Sequence, residues 1–108
     1  MSDYHPDSWV VLKIEQGATS IYKVLGGWSG GYLQGDSWRM NSGITEVEIY
    51  GEHYIFRGNS GSEYWCHRST YGLKMNTAGI YKSLIMLDTI KVDLMDEKTK
   101  WSKLKFNE

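Results

Sequence analysis

The sequence predicts an α+β fold dominated by β-structure: a twisted antiparallel sheet, or a small barrel, with one packed helix. Three observations predict it. Short runs of alternating apolar and polar residues recur along the chain and are separated by glycine-bearing turns. Only one stretch, Thr77 to Leu87, repeats its apolar residues at helical spacing. Proline occurs once and glycine twelve times in 108 residues, a composition suited to many tight turns.

The first run, Ser8 to Glu15, sets Val10, Leu12 and Ile14 on one side and Trp9 and Val11 on the other, so both faces are expected to be at least partly buried. Gln16-Gly17-Ala18 is a turn, and Thr19 to Leu25 returns as the partner strand of a hairpin. Thr45, Val47 and Ile49 alternate with Glu46 and Glu48, giving a strand with one dry face. Gly51-Glu52 makes a two-residue turn with glycine first. His53 to Arg57 follows, then the turn Gly58-Asn59-Ser60-Gly61 and a third strand over Ser62 to Arg68. The three form a meander.

In the helix candidate, Ile80, Tyr81, Leu84 and Leu87 share a stripe, and Asn76 or Thr77 is placed to cap the start. Ile90, Val92 and Leu94 alternate with Lys91 and Asp93 as a last clear strand. Trp101 to Phe106 fits a strand or a short helix equally. Met1 to Asp7 is polar and reads as a loose terminus. The whole chain, residues 1–108, has the length of one domain.

Composition bounds the function. The formal net charge is −1, which argues against duplex nucleic acid, since that needs a basic surface. No apolar stretch approaches the length of a membrane span. The single cysteine, Cys66, allows no internal disulfide, and no segment has the pattern of a targeting signal, so the chain reads as cytoplasmic.

The densest functional signal is Gly26 to Gly43: six glycines, Trp28, Tyr32, Trp38 and Arg39 in eighteen residues. Glycine exposes backbone amides, aromatics offer flat faces, and arginine offers a planar fork of donors. The two glycine pairs are expected to break any regular element there. The spacings of dinucleotide and phosphate loops are absent. The chain has nine lysines but only Arg39, Arg57 and Arg68, and all three lie in this block or the meander after it. Arginine is favoured where phosphate or carboxylate is gripped by two donors, and the alternative partners are Asp36, Glu46, Glu48 and Glu63.

The expected site is therefore a ligand pocket. Trp28, Tyr32 and Trp38 stack on or line it, and Arg39, Arg57 and Arg68 neutralise charge. Gly30, Gly31 and Gly35 let the backbone approach. The ligand is small, anionic and nucleotide-like. In so short a chain the pocket suits a subunit boundary of a homo-oligomer.

Catalytic signals are poor. Adjacent Cys66 and His67 point to opposite faces of a strand, so they do not pair. His53 and His67 can meet across the sheet, with Asp36 or Glu63 nearby, but match no metal or catalytic spacing. No catalytic residue, metal or cofactor is assigned. The alternatives are a stoichiometric protein-binding inhibitor or interaction module, because Trp, Tyr and Arg also dominate interface hot spots, and a small hydrolase or nuclease.

The run Gly-Gly-Tyr-x-x-Gly-Asp-Ser-Trp-Arg-x-Asn-Ser-Gly-Ile, Gly30 to Ile44, resembles one in small uncharacterised accessory proteins of tailed bacteriophages. Gly-x-Ser-Gly-Ser-x-Tyr (Gly58 to Tyr64), Cys66-His67, Tyr71-Gly72 and Thr77-Ala78-Gly79-Ile80 extend it over about half the chain. The resemblance transfers no site residue. It implies a phage protein in the host cytoplasm, acting by binding: blocking a host enzyme, or sequestering a nucleotide signal of host defence.

Overall fold

The structure, a computed structural model, describes residues 3–29, 37–104 and 106. Two four-stranded sheets and one helix stack in three layers. The first sheet runs β1 (Asp3–Tyr4), β7 (Glu63–His67), β6 (His53–Gly58), β5 (Ile44–Tyr50). The second runs β4 (Ser37–Met40), β3 (Thr19–Trp28), β2 (Ser8–Gln16), β8 (Lys91–Leu94). Helix α1 (Met75–Ile85) covers the second sheet. The fold is α+β and β-dominated; the sheets are open and do not close into the small barrel that was the alternative expectation.

The alternation in β2 explains the layering. Trp9 and Val11 face the first sheet and pack with Val24, Ile44, Phe56, Tyr64, Cys66 and Trp101. Val10 and Leu12 face the other way and pack with Leu25 and Val92 beneath Ile80, Tyr81 and Leu84 of the helix. A strand buried on both faces is the middle of a sandwich. The β2–β3 and β5–β6 hairpins turn over two residues each: Gly17-Ala18, within the expected Gln16-Gly17-Ala18 turn, and Gly51-Glu52 as expected. Gly17 and Gly51 take φ of 60° and 58°, with no positive φ at the residues after them. That is the type II′ arrangement, which glycine in first position permits.

Four local expectations are corrected. Gly26 and Gly27 do not end the strand; β3 continues through them to Trp28. They are needed for close approach. A Cβ on Gly27 would lie 2.8 Å from Thr77 Cγ2 at the start of α1, and one on Gly26 would lie 3.0 Å from Pro6 Cβ. The described part of the N-terminus is not loose. Asp3 and Tyr4 pair in parallel with Glu63 and Tyr64, and Asp7 N–H donates to Gly27 O at 2.9 Å.

The helix starts earlier than its capping residues suggest, at Met75. Asn76 and Thr77 lie inside the first turn, where Thr77 Oγ1 accepts from Lys74 N–H at 2.9 Å. Leu87 falls beyond the helix and is exposed. In β5 a register shift between Ile44 and Glu46 turns Ile44 inward, so the core residue at that end is Ile44 and not Thr45. Trp101–Lys103 resolves as a short 3-10 helix that buries Trp101.

Candidate functional site

Trp28 ends β3 and Arg39 lies on β4, opposite Gly26. Residues two apart on a strand share a face, so Trp28, Gly26 and Arg39 look the same way, toward the first sheet. What fills the space above Gly26 is the N-terminal segment. The Arg39 guanidinium lies 4.6 Å over the centroid of the Tyr4 ring. Trp28 meets Tyr4 edge-on at 6.3 Å, and its indole Nε1–H donates to His5 O at 3.0 Å. Tyr4 leans on Tyr64 at 5.0 Å. Burial pushes the Tyr64 phenol up to about 12, against the opposing pull of Arg39. The result is an aromatic corner with one exposed arginine at its edge. No carboxylate pairs with Arg39 among the described residues.

Trp38 stands one residue along β4 and so faces the other way. It pairs with Gly27 beside the helix start and is 46% exposed. Trp28 and Trp38 therefore do not line one pocket. Gly30, Gly31, Tyr32 and Gly35 lie outside the described residues, as does Asp36.

The other two arginines are elsewhere. Arg57 is on the outer face of the first sheet. Its Nε donates to Glu63 Oε2 at 2.8 Å and its Nη2 to Glu48 Oε1 at 2.8 Å. Those bonds, Glu63's first, raise its already high pKa further. This is the carboxylate-pairing alternative, with Glu63 and Glu48 as the partners. Arg68 opens the short 3-10 helix after β7, and its N–H donates to Glu52 O at 2.9 Å. Arg57 pairs with Glu63 at one end of β7, and Arg68 follows His67 at the other, roughly 13 Å along the strand. The expected three-arginine pocket is not formed; Arg39 alone joins the aromatic corner.

Comparison of the chain with protein-family models, curated proteins and solved structures finds no match. The site must be read from its own chemistry.

His53 and His67 do meet across the first sheet, with ring centroids 5.1 Å apart. His67 Nδ1 is occupied: it accepts from Ser69 N–H at 3.1 Å and lies 2.7 Å from Ser69 Oγ. Glu63 is at the far end of β7 from this pair. No group of three His, Cys, Asp or Glu among the described residues is arranged to hold a metal ion. Cys66 points inward, as the alternation requires, and burial pushes its thiol well up. A groove of about 430 Å³ runs beside Tyr71, Gly72 and Leu94 to Lys98, away from the aromatic corner.

Sequence reasoning passed over two residues that build this region. Tyr4 and His5 lie in a polar, proline-bearing segment with no periodicity to show that Tyr4 pairs with β7 or that His5 stacks on Trp65.

Proposed function

We propose that this chain is a non-enzymatic binding protein whose ligand is small, planar and anionic, nucleotide-like in class. The observation that carries the reading is Arg39 placed over the Tyr4 ring beside Trp28. A guanidinium over a ring face keeps its N–H donors, and no carboxylate among the described residues takes those of Arg39, so they are free for an anion. The neighbouring rings offer stacking surface to a base, a contact worth about 1–3 kcal/mol. The resemblance of Gly30 to Ile44 to phage accessory proteins fits sequestration of a nucleotide signal of host defence.

Calorimetry against linear and cyclic nucleotides tests this. Binding tighter than about millimolar, lost in Arg39→Ala and weakened in Tyr4→Ala, is the expected result. Folded protein that binds none of them, or binding that survives Arg39→Ala, overturns it.

A second reading, a stoichiometric protein partner, is favoured by the outer face of the first sheet. Tyr50 is 61% exposed there and packs edge-on to Trp65 at 5.7 Å, while His5 stacks on Trp65 at 5.6 Å. This is an aromatic patch with exposed members, of the kind that supplies interface hot spots. A complex lost in Tyr50→Ala and kept in Arg39→Ala would support it over the ligand reading.

A further inference from the structure

Strand β8 is a free edge of the second sheet. It pairs with β2 on one side, and that pairing fixes which way its backbone faces. Met95 N–H donates to Val11 O at 2.9 Å, and Met95 O accepts from the Tyr71 hydroxyl. Peptide groups alternate in direction along an antiparallel strand, so those of Val92 and Leu94 point outward, away from β2. No strand lies beyond them among the described residues. Leu94 is 41% exposed at this edge, although its neighbour on β2, Leu12, is fully buried. An open edge with an exposed apolar side chain is a template for another strand.

The charges on β8 say which strand. Lys91 stands opposite Glu15 on β2, and Asp93 stands opposite Lys13. A second β8 laid antiparallel, with Val92 opposite the partner's Val92, sets the partner's Lys91 against Asp93 and the partner's Asp93 against Lys91. It also sets the partner's Ile90 against Leu94. Across β2, β8 and their copies the charged row then reads Lys13, Asp93, the partner's Lys91, the partner's Glu15, alternating in sign throughout. The same register brings the outward peptide groups of Val92 and Leu94 into hydrogen-bonding position. The edge strand of the first sheet, β5, lacks this match. A second β5 laid on it about Val47 sets Glu46 against Glu48, and like charges directly opposite are destabilising.

We infer that β8 is a homodimer edge: two copies pair β8 to β8 about a two-fold axis at Val92, so that one four-stranded sheet runs into the other. The occupant is a second copy because this edge is its own complement, in charge and in apolar residues alike. The exposed Leu94 is covered by the partner's Ile90. The inference does not rest on the ligand reading, since Arg39 lies on β4, at the opposite edge of the sheet.

Sedimentation of the whole chain from micromolar concentration to about 1 mM tests it. A monomer–dimer equilibrium is expected for the unmodified protein. Asp93→Lys and Lys91→Asp each put like charges together at both ends of the pair, and each alone is expected to weaken the dimer about tenfold. Mixed in equal amounts, the two variants again oppose unlike charges, so association is expected to return as a mixed dimer. Amide hydrogen exchange at Val92 and Leu94 of the unmodified protein should slow as its concentration rises, while that of β5 stays unchanged. Protein that remains monomeric to about 1 mM overturns the inference. So does a dimer that Asp93→Lys leaves intact, a pair of variants that do not combine, or protection that appears on β5 instead.

Discussion

Gly27 shows how one missing side chain governs the packing of α1. Its Cα faces Thr77, and an added Cβ would sit 2.8 Å from a methyl that is itself buried. Either the helix start lifts from β3 or β3 bends. Overpacking of this kind costs about 1–3 kcal/mol, so Gly27→Ala is expected to lower the unfolding free energy measured in urea by that amount, while Gly79→Ala, whose Cβ would meet nothing, does not. A charge at the same scale gives a pH dependence. The hydrogen bond from Arg57, then that from Trp65, holds the Glu63 carboxyl below the usual carboxylate range. A carboxyl depressed in the folded state adds stability that is whole above its unfolded pKa and is lost as pH falls through the folded one. The acid limb of the Tm profile should therefore flatten in Glu63→Gln. The exposure of the pair keeps the effect small and salt-sensitive.

Capping decides where α1 begins. Thr77 Oγ1 accepts from Lys74 N–H and also lies 3.3 Å from Lys74 O, so one buried hydroxyl serves the first turn. Thr77→Val keeps the shape and removes both contacts, and is expected to cost about 1 kcal/mol by chemical denaturation. The elements that were legible in the sequence are those whose signal is local. Alternation in Ser8 to Glu15, the Gly51-Glu52 turn and the Ile80-Tyr81-Leu84 stripe each report a nearby hydrogen-bond pattern. What was not legible depends on a partner distant in sequence. The parallel pairing of Tyr4 with Tyr64 spans most of the domain, and the shift that turns Ile44 inward exists only in register with Gly58. The candidate site divides along the same line. Trp28 and Arg39 stood out by composition. The ring that unites them, Tyr4, becomes visible only once the sheets are stacked. Arg57 stood out by type and proved to be answered by glutamates across the strand pairs.

At the scale of the molecule, the two sheets are joined through aromatics more than through aliphatics. Trp9 touches Tyr54, Phe56, Tyr71 and Trp101, and its Nε1–H donates to His67 O at 2.7 Å, tying β2 to the end of β7. Tyr71 completes the joint. Its hydroxyl accepts from Val11 N–H at 3.3 Å and donates to Met95 O. Burial pushes Tyr71, like Tyr64, up to about 12. A phenol raised in the folded state stabilises the fold below its unfolded pKa of about 10 and ceases to as pH climbs through the folded value. Phenolate absorbance should show these two tyrosines titrating late, together with alkaline unfolding.

Trp101 closes the same cluster from the other end of the chain, 1% exposed and 5.9 Å from each of the rings of Trp9, Phe56 and Tyr71. Its segment has no strand pairing, so the indole, with Leu104 beside it, holds residues 101–104 against the sandwich. Truncating such a residue removes its transfer energy and leaves a cavity between rings that cannot collapse without shifting both sheets. Trp101→Ala is expected to cost about 3–5 kcal/mol, a large share of the roughly 5–15 kcal/mol that holds a domain together. Denaturant unfolding with a near-ultraviolet probe of the aromatic core checks it. A loss below about 1 kcal/mol, well under that range, would mean that the last turn is an accessory to the fold and not its clasp.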